Sequence, residues 1–421
     1  MKRENFHWRA GGKLPNVEDH SKRKLKVISD YLHIYFDTVV RNPATDHLNI
    51  TLVDGFCGGG GYQSDDGFIA GSPLVLLEAV KQAEERLNRS REKPLKINAE
   101  YVFIDENLNH IESLREQLLK HGYADLEPAN ISLVHQTFSE ALPEVLSRIS
   151  ARQRKGRSIF ILDQFGWSDV PMHAIQSIFQ RLDRPEVILT FAIDSFLNYL
   201  TESSVQSELY TQFKIDERFV EEWQANKADE ALGRLVSQRA LMSNIHNNSG
   251  AKFFTPFLLW SQRENRWMMI AHLSNHQAAR DKMLGVHWDS QNSFRHIGRG
   301  SLFSLGYDPR AIEDRESLFS FTEQDRIRLS EELTRELPEI IFTNMGSGTL
   351  AVSSLLDKIG NLTAGSNEDI FAVLKLMAES KELEVFRQDG CLKRPSTKIS
   401  VSDRLIRPSQ GTMFPLLVSK A

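Results

Sequence analysis

Between residues 50 and 193 the sequence alternates short apolar runs with stretches of helical periodicity, and this alternation most constrains the fold. The apolar runs are rich in Val, Ile, Leu and Phe and occupy residues 50–54, 101–105, 131–135, 159–163 and 187–193. The stretches between them, at 73–87, 108–121, 138–149 and 172–182, are each long enough for a crossover helix. Alternating strands and helices predict βαβ units whose parallel strands are buried on both faces. The sequence therefore predicts a doubly wound α/β domain.

Residues 253–273 depart from this alternation. Two apolar and aromatic runs, FFTPFLLW and RWMMIAHL, flank the polar turn SQREN. This pattern predicts an antiparallel hairpin, and a mixed sheet that ends in such a hairpin is characteristic of methyltransferase cores. The predicted fold is thus a Rossmann-like, methyltransferase-type sheet with a C-terminal antiparallel hairpin. Residues 200–250 are polar with helical character, and they predict an inserted helical subdomain.

A second domain is predicted from residue 321 onward. Helices are expected from the segment FTEQDRIRLSEELTRELPEII and from stretches at 349–359 and 367–380. Two short runs, at 383–387 and 398–401, then enclose a loop that contains DGCLKRPST. Helices followed by a basic hairpin predict a winged-helix-like domain. The predicted organisation is a basic N-terminal segment and helix at 1–45, the Rossmann-like domain at 46–320 and the winged-helix-like domain at 321–421.

Composition narrows the class of protein and its compartment. No run of 18 apolar residues occurs and the start lacks the apolar run of a signal peptide, so neither a membrane nor export is expected, and the cytoplasm is the default. Cys57 and Cys391 have no partners at metal-ligand spacing, which argues against a disulfide framework or a zinc site. The net charge of −5 argues against a generally basic surface, although basic residues cluster at 1–26, 152–157 and 393–407. Each cluster taken alone is also explained as a solvated surface.

The strongest local motif is ITLVDGFCGGGGY, in which an apolar run ends at Asp54 and four glycines follow. Glycines at the carboxyl end of a first strand let the backbone approach a nucleotide or nucleoside closely. The next apolar run, YVFIDEN, ends in Asp105, an acid placed to accept hydrogen bonds from two ribose hydroxyls. Capping of the following helix is the alternative role for Asp105. The separation of about 50 residues exceeds the roughly 20 of a compact dinucleotide unit, which an inserted loop at 62–72 would explain.

The fourth apolar run, SIFILDQFGW, ends at Asp163. We expect Asp163 to project into the cleft and to take a hydrogen bond or a proton from an amine or ring nitrogen. Phe165 and Trp167 are expected to form a stacking wall for a planar substrate, with core packing as the alternative for each ring. These three residues are the predicted catalytic group.

Six segments, in their order along the chain, resemble the three-Cys-motif partner family (TcmP). They are HSKRKLKVISDYL, LVDGFCGGGGY, GSPLVLLEAV, YVFIDEN, LDQFGWSDVPM and HLSNHQAARDKM, and the resemblance covers roughly residues 18–290. That family resembles class I S-adenosylmethionine-dependent methyltransferases, and its members are named for an association with a separate protein that bears a three-cysteine motif. The resemblance therefore implies S-adenosylmethionine as cofactor and a three-cysteine-motif protein as partner.

The resemblance also assigns roles to individual positions. It places the cofactor-binding motifs on Asp54, Phe56, Gly58, Gly60 and Asp105. It places the fourth-strand motif on Asp163, Phe165 and Gly166, and the late and amino-terminal motifs, expected to bind substrate, on Asn275, His276, His20, Lys22 and Lys24. The basic amino-terminal cluster would contact a phosphate or a carboxylate, and a solvated helix start is its alternative.

The sequence departs from the family pattern at two positions. Gly59 stands where the family usually has Pro, and Gln164 stands where the fourth-strand motif has Pro. Amine-methylating enzymes use an acid or Asn followed by Pro to aim a backbone carbonyl at the nucleophilic nitrogen, and Gln relaxes the restriction that Pro imposes on the preceding residue. The second departure therefore places amine methylation in doubt but not cofactor binding.

Three functional hypotheses follow from these motifs. The first is an S-adenosylmethionine-dependent methyltransferase that acts on nucleic acid or on a nucleotide-like group presented by a partner protein. The alternative is a catalytically silent Rossmann-like subunit that binds nucleic acid and a partner protein. The third and weaker hypothesis is a metal-dependent nucleotide or nuclease-type hydrolase, in which Asp54, Asp105 and Asp163 would hold the metal.

Overall fold

A computed structural model describes residues 7–127, 129–152, 156–164, 168–193, 196, 221, 241–261, 266–290, 296–297, 318–319, 322–346 and 348–408. The chain divides into two compact units, Met1–Val286 and His287–Ala421. The predicted boundaries at residues 45 and 320 stay predictions. Most of the predicted insertion at 200–250 lies outside the described residues. Its residues 241–249 are described, and they are helical. Within the described ranges, no helix is long and apolar enough to cross a membrane.

The first unit is built on a seven-stranded sheet. Its strands are β1 (His47–Asp54), β4 (Lys96–Asp105), β5 (Ile131–His135), β6 (Arg157–Asp163), β7 (Arg184–Phe191), β8 (Phe253–Ser261) and β9 (Arg266–Ser274), and a small separate hairpin comprises β2 (Gly61–Ser64) and β3 (Gly67–Ala70). The order is β5-β4-β1-β6-β7-β9-β8, with the first five strands parallel and β9 antiparallel to both of its neighbours. The predicted α/β sheet, mostly parallel and ending in an antiparallel hairpin, is confirmed.

Six helices whose bounds the structure gives accompany this sheet, one before β1, four between its strands and one after β9. They are α1 (Asp19–Val39), α2 (Ser72–Asn88), α3 (Leu108–Lys120), α4 (Phe138–Arg152), α5 (Met172–Arg181) and α6 (Gln277–Asp289). In α4 the buried side chains recur at three- and four-residue spacing, from Phe138 to Ile149, so that one helical face packs into the core. The central strands β6 and β7 are buried almost throughout, as expected for parallel strands covered on both faces.

The register of the sheet brings the predicted strand-end acids to one edge. Asp54 pairs with Phe103 of β4 and with Ile161 of β6, so the three strands end at nearly the same level. Since ligands of open α/β sheets bind outside the carboxyl ends of the strands, this edge is where a site is expected. Asp105 and Asp163 close β4 and β6 at the same edge.

A buried polar cluster joins α1 to the sheet below this edge. The Tyr31 hydroxyl donates a hydrogen bond to the Glu186 carboxylate, and the His272 Nε2 atom lies 3.0 Å from the same carboxylate oxygen. Burial, followed by the neighbouring Glu186 charge, raises the pKa of Tyr31 well above its ordinary value. This favours the protonated Tyr31 hydroxyl as a hydrogen-bond donor, and the Glu186 carboxylate links three separate elements.

The described residues of the second unit form three helices, a three-stranded antiparallel sheet and one short strand pair. Its elements are α7 (Glu323–Met345), β12 (Thr349–Ala351), α8 (Val352–Ile359), α9 (Asn367–Glu379), β13 (Glu384–Phe386) and β14 (Arg404–Ile406), and β10 (His296–Ile297) pairs with β11 (Leu318–Phe319). The three-stranded sheet has the order β12-β14-β13. Capping boxes begin α7 at Thr322 and α9 at Ser366.

One predicted strand of the second unit lies elsewhere. The second hairpin strand was expected at 398–401, but the structure places it at 404–406. Asp403 accounts for the difference, because its carboxylate accepts a hydrogen bond from the Ser400 backbone N–H at 2.7 Å and from Lys393 at 2.5 Å. These contacts fold the chain around Asp403 into a turn, and the strand begins only after it.

Candidate functional site

A cavity of about 520 Å³ lies at the carboxyl edge of the sheet. This volume falls within the range of sites for small molecules and cofactors. The described residues that supply its polar lining are His7, Glu18, His20, Ser21, Lys24, Tyr62, Ser72, Asp105, Glu106, Asn107, His110, Thr137, Ser139, Asp163, Gln164, Ser168 and Asp169. They come from the amino terminus, from the start of α1 and from the ends of β4 and β6, so the cavity collects residues that are distant in sequence.

The lining is acidic. Five of the lining side chains are carboxylates, and Lys24 is the only Lys or Arg among the described lining residues. An excess of carboxylates in a partly enclosed space favours a cationic ligand and disfavours phosphate. The contact of His20, Lys22 and Lys24 with a phosphate or a carboxylate stays a prediction, which the acidic lining does not favour.

Lys24 reaches across the cavity to Asp163. Its Nζ atom lies 2.6 Å and 2.7 Å from the two carboxylate oxygens. Lys24 is buried, and Asp163 is about one-third exposed toward the cavity. The two predictions, one for a basic residue on α1 and one for an acid at the end of β6, therefore concern a single ion pair. Because the charge of Lys24 is balanced by Asp163, little of it remains to attract an anion.

Asp105 binds both its own loop and the glycine loop. One carboxylate oxygen accepts from the Asn107 N–H at 2.8 Å and lies 3.0 Å from His110 Nδ1, and the other accepts from the Gly58 N–H at 3.0 Å. A carboxylate has about four acceptor positions, so these contacts leave room for a further donor. Asn107, not Asp105, caps the helix that follows, because its side chain accepts from the Asn109 N–H. The Asp105 contacts hold the loop before the cap and are compatible with a ligand-binding role.

The glycine loop lets other groups lie close to its backbone, and some of these groups are side chains of the protein itself. Gly58 and Gly60 have φ values of +55° and +86°, in the left-handed region that favours glycine. A side chain on Gly59 would begin 2.1 Å from the Trp8 ring, and one on Gly60 would begin 2.8 Å from Leu114. The departure from Pro at position 59 therefore has a structural reason, since the Trp8 ring lies directly on this glycine.

Trp8 belongs to an extended segment, residues 7–18, that we call the N-terminal strap. The Trp8 indole N–H donates to the Gly61 carbonyl at 2.6 Å. Farther along, the Val17 N–H donates to the Gln63 carbonyl, and the Gln63 N–H donates to the Pro15 carbonyl. In the sequence this region is a basic cluster, and its position in the site is visible only in the structure. The one available signal was an isolated tryptophan in an otherwise polar stretch.

Replacing Gly59 by Ala is expected to displace the strap. The added methyl group would overlap the Trp8 ring, and we expect a loss of about 1–3 kcal/mol in the free energy of unfolding, as for other overpacked positions. Chemical denaturation gives the loss, and limited proteolysis between residues 7 and 18 should become faster. Gly285→Ala is the matched control, because a side chain there would meet no atom within 4 Å. Equal protease resistance of Gly59→Ala and wild type would contradict the prediction.

Asp54 is fully buried beside this loop. One of its oxygens accepts from the Phe56 N–H at 3.1 Å, and the neighbouring Ser72 hydroxyl also favours the charged form. Burial raises the pKa of Asp54 to about 7, and the charges of Asp163 and Asp105 act in the same direction. Asp54 does not itself line the cavity, whereas its neighbours Gly55 and Phe56 do. It is a buried acid whose charge state changes near neutral pH.

Gln164 has a structural role of its own. Its side-chain carbonyl accepts hydrogen bonds from the Asp169 N–H at 3.0 Å and the Val170 N–H at 3.1 Å. The side chain thereby holds the backbone at Asp169 and Val170, a role that Pro could not fill. The predicted residues Phe165 and Trp167, together with Gly166, lie outside the described residues.

Three predicted substrate-binding residues are not brought to the cavity. Lys22 is separated from both His20 and Lys24 by about 200° of helical rotation, and it does not line the cavity. Asn275 and His276 follow Ser274, which pairs with Glu186 near the amino end of β7. The antiparallel strand β9 thus carries them to the opposite edge of the sheet. There the Asn275 side chain accepts from the Lys252 N–H.

The three strand-end acids do not form a metal site in the described part of the chain. No group of three or more His, Cys, Asp or Glu side chains there has an arrangement that could hold a metal ion. Asp163 is bound by an ammonium group and Asp105 by three nitrogen atoms. The geometry therefore gives no support to the metal-dependent hydrolase hypothesis.

Comparison with known proteins yields distant structural similarity only. No family model matches the sequence, and no curated protein matches it. A methyltransferase from Geobacter sulfurreducens shares 15% identity over 42% of this chain, with a TM-score of 0.24, and the match spans 62% of that protein's chain. Cofactor-bound Rv0187 from MTB shares 13% identity over 59% of this chain and 79% of its own, with a TM-score of 0.31. The fold assignment rests on the strand order and register described above.

Proposed function

We propose that the first unit is an S-adenosylmethionine-dependent methyltransferase. The observation that carries the proposal is the acidic cavity at the carboxyl edge of a sheet ordered β5-β4-β1-β6-β7-β9-β8. S-adenosylmethionine has a sulfonium and an ammonium group against one carboxylate, so it is cationic overall. A site with five carboxylates and one lysine attracts such a ligand more than it attracts a nucleotide phosphate.

The residues of the cavity fit this cofactor. Asp105 and Glu106, at the end of β4, supply acceptors for ribose hydroxyls. The glycine loop admits a close approach of the methionine part, and Thr137 and Phe138 supply a wall at the start of α4. When bound, the cofactor supplies an electrophilic methyl group. Asp163, held by Lys24, would lie at the end of the cavity where the methyl acceptor enters.

Calorimetric titration with S-adenosylmethionine and S-adenosylhomocysteine tests the proposal. We expect both to bind, and the sulfonium compound to bind more tightly because the cavity is acidic. Asp105→Ala should weaken binding by at least tenfold, since it removes a ribose acceptor and the support of the Gly58 N–H. Glu112→Ala, at an exposed position on α3, is the control.

Failure of wild type to bind either compound would overturn the proposal and favour the catalytically silent subunit. Thermal unfolding of Asp105→Ala should be measured beside the titration, so that loss of the fold is distinguished from loss of the site. A variant that is folded and binds as tightly as wild type would remove Asp105 from the site.

For the second unit we propose a winged-helix domain that contacts nucleic acid through its hairpin. The exposed charges of the hairpin region are Arg387, Arg394, Lys398, Arg404 and Arg407 against Asp389. The solvent face of α9, by contrast, carries Glu368, Lys375 and Glu379, with Lys375 and Glu379 paired at 3.7 Å. Positive charge is what a phosphate backbone requires, so the hairpin is favoured over the helix. A three-cysteine-motif partner protein remains a prediction.

Reversal of charge on the hairpin tests this contact. We expect the double variant R394E/K398E to weaken binding to a labelled DNA or RNA oligonucleotide at least tenfold, measured by fluorescence anisotropy. The slope of log affinity against log salt should fall by about 1–2, because each lost phosphate contact removes roughly 0.9 on duplex DNA. Lys375→Glu on α9 is the matched control. A larger effect from the control than from the double variant would contradict the assignment.

A further inference from the structure

The carboxyl end of β6 contains a buried hydrogen-bond donor without a partner. Gln164 is 2% exposed and lines the cavity, and its Nε2 atom makes no hydrogen bond within the described ranges. The orientation of the amide is fixed, because two backbone N–H groups point at its other atom, which must therefore be the carbonyl oxygen. An unpaired buried donor is costly, and a ligand that supplies an acceptor would remove that cost.

The two acceptors at this strand end are engaged to different degrees. The Gln164 carbonyl accepts two backbone N–H groups, whereas the two contacts of Asp163 with the ammonium of Lys24 leave lone pairs on its oxygens that can take a proton. An amine nitrogen has a single lone pair, and a hydrogen bond from the Gln164 donor would occupy it. The arrangement therefore suits a nucleophile that accepts a hydrogen bond and has a second lone pair for the attack.

We propose that the methyl acceptor is a hydroxyl oxygen that accepts a hydrogen bond from Gln164 Nε2. The inference rests on the methyltransferase function proposed above and names its class of substrate. A hydroxyl oxygen has two lone pairs, so one accepts from Gln164 while the other attacks. An unprotonated ring nitrogen has one lone pair in the ring plane, and the same donor would block it.

The transfer balances with the side chains of the cavity and the proposed cofactor. The free lone pair of the oxygen forms a bond to the methyl carbon as the carbon–sulfur bond breaks, and that electron pair stays on sulfur as a neutral thioether. The hydroxyl proton passes to the Asp163 carboxylate, which lines the same cavity. Lys24 then holds the protonated acid in place through its remaining hydrogen bond.

Transfer of labelled methyl from S-adenosylmethionine to three small probes tests the inference. The probes are catechol, imidazole and benzylamine, which offer a hydroxyl, a ring nitrogen and an amine at saturating concentration. We expect wild type to methylate catechol at least tenfold faster than either of the others. Preference for benzylamine or imidazole, or no transfer to catechol by a protein that binds the cofactor, would overturn the inference. Absence of cofactor binding in the calorimetric titration would instead count against the proposed function.

Gln164→Glu isolates the donor. Glutamate keeps an oxygen for the Asp169 and Val170 N–H groups and replaces the NH₂ group by an acceptor. We expect the rate with catechol to fall at least tenfold while the dissociation constant for S-adenosylhomocysteine changes less than twofold. Gln324→Glu, exposed on α7, adds the same charge elsewhere and should leave both quantities unchanged. An unchanged catechol rate in folded Gln164→Glu would overturn the role of the amide.

Discussion

Asp54→Asn is expected to stabilise the protein by up to about 4 kcal/mol at pH 8 and by much less near pH 4. Burial raises the pKa of Asp54 from 3.8 to about 7. The unfolded chain therefore releases the Asp54 proton near pH 4, whereas the folded chain keeps it until about pH 7. Each pH unit between these values favours the unfolded state by about 1.4 kcal/mol. The free energy of unfolding of the wild type therefore falls as the pH rises from about 4 to about 7. The asparagine variant has no titrating group at this position and does not lose stability in this way.

Urea denaturation of wild type and Asp54→Asn at half-unit steps from pH 4 to pH 8.5 measures this difference. The two free energies of unfolding should diverge between pH 4 and pH 7 and run parallel above pH 7. Asparagine keeps an oxygen for the Phe56 N–H, so the turn after β1 is preserved. Curves that stay parallel throughout would show that Asp54 titrates normally in the folded protein.

Glu186→Ala is expected to destabilise the protein by about 3–5 kcal/mol. The carboxylate binds the Tyr31 hydroxyl and lies 3.0 Å from the His272 ring nitrogen, and all three residues are buried. Removing it leaves two polar groups in the interior without their partner, which is the costly way to break a buried cluster. Because α1 carries Lys24, the loss should also weaken cofactor binding.

Chemical denaturation of Glu186→Ala, with Glu144→Ala on the exposed face of α4 as control, measures the effect. Addition of Tyr31→Phe to Glu186→Ala should cost little more, since the hydroxyl has already lost its acceptor. A loss below 1 kcal/mol in Glu186→Ala would show that the cluster does not hold α1. Full additivity of the two substitutions would show that Tyr31 and Glu186 act separately.

The sequence predicted the main sheet because its signals are local. Runs such as 159–163 are apolar throughout since a parallel central strand is buried on both faces, and that property can be read along the chain. The ends of the runs at Asp54, Asp105 and Asp163 could be read for the same reason. Strands that run in parallel bring their carboxyl ends to one edge whatever the order of the strands.

The outer parts of the site were less accessible to sequence reasoning. Asn275 and His276 also follow a strand, but β9 runs antiparallel and delivers them to the other edge. The resemblance placed them with the substrate because a motif records order along the chain, not strand direction in the sheet. Lys22 was grouped with Lys24 as a charge cluster, although two residues on a helix point to different sides.

By itself, the sequence determined the alternation of strands and helices, the glycine loop and the acids at the strand ends, because each depends on neighbouring residues. Only the tertiary structure decided the contacts that give the cavity its chemistry. Lys24 and Asp163 are 139 residues apart, and Trp8 and Gly61 are 53 residues apart. No periodicity connects positions so distant. Their pairing follows from how the sheet, α1 and the N-terminal strap pack, and that packing turns a row of acids into an acidic cavity with one neutralised lysine.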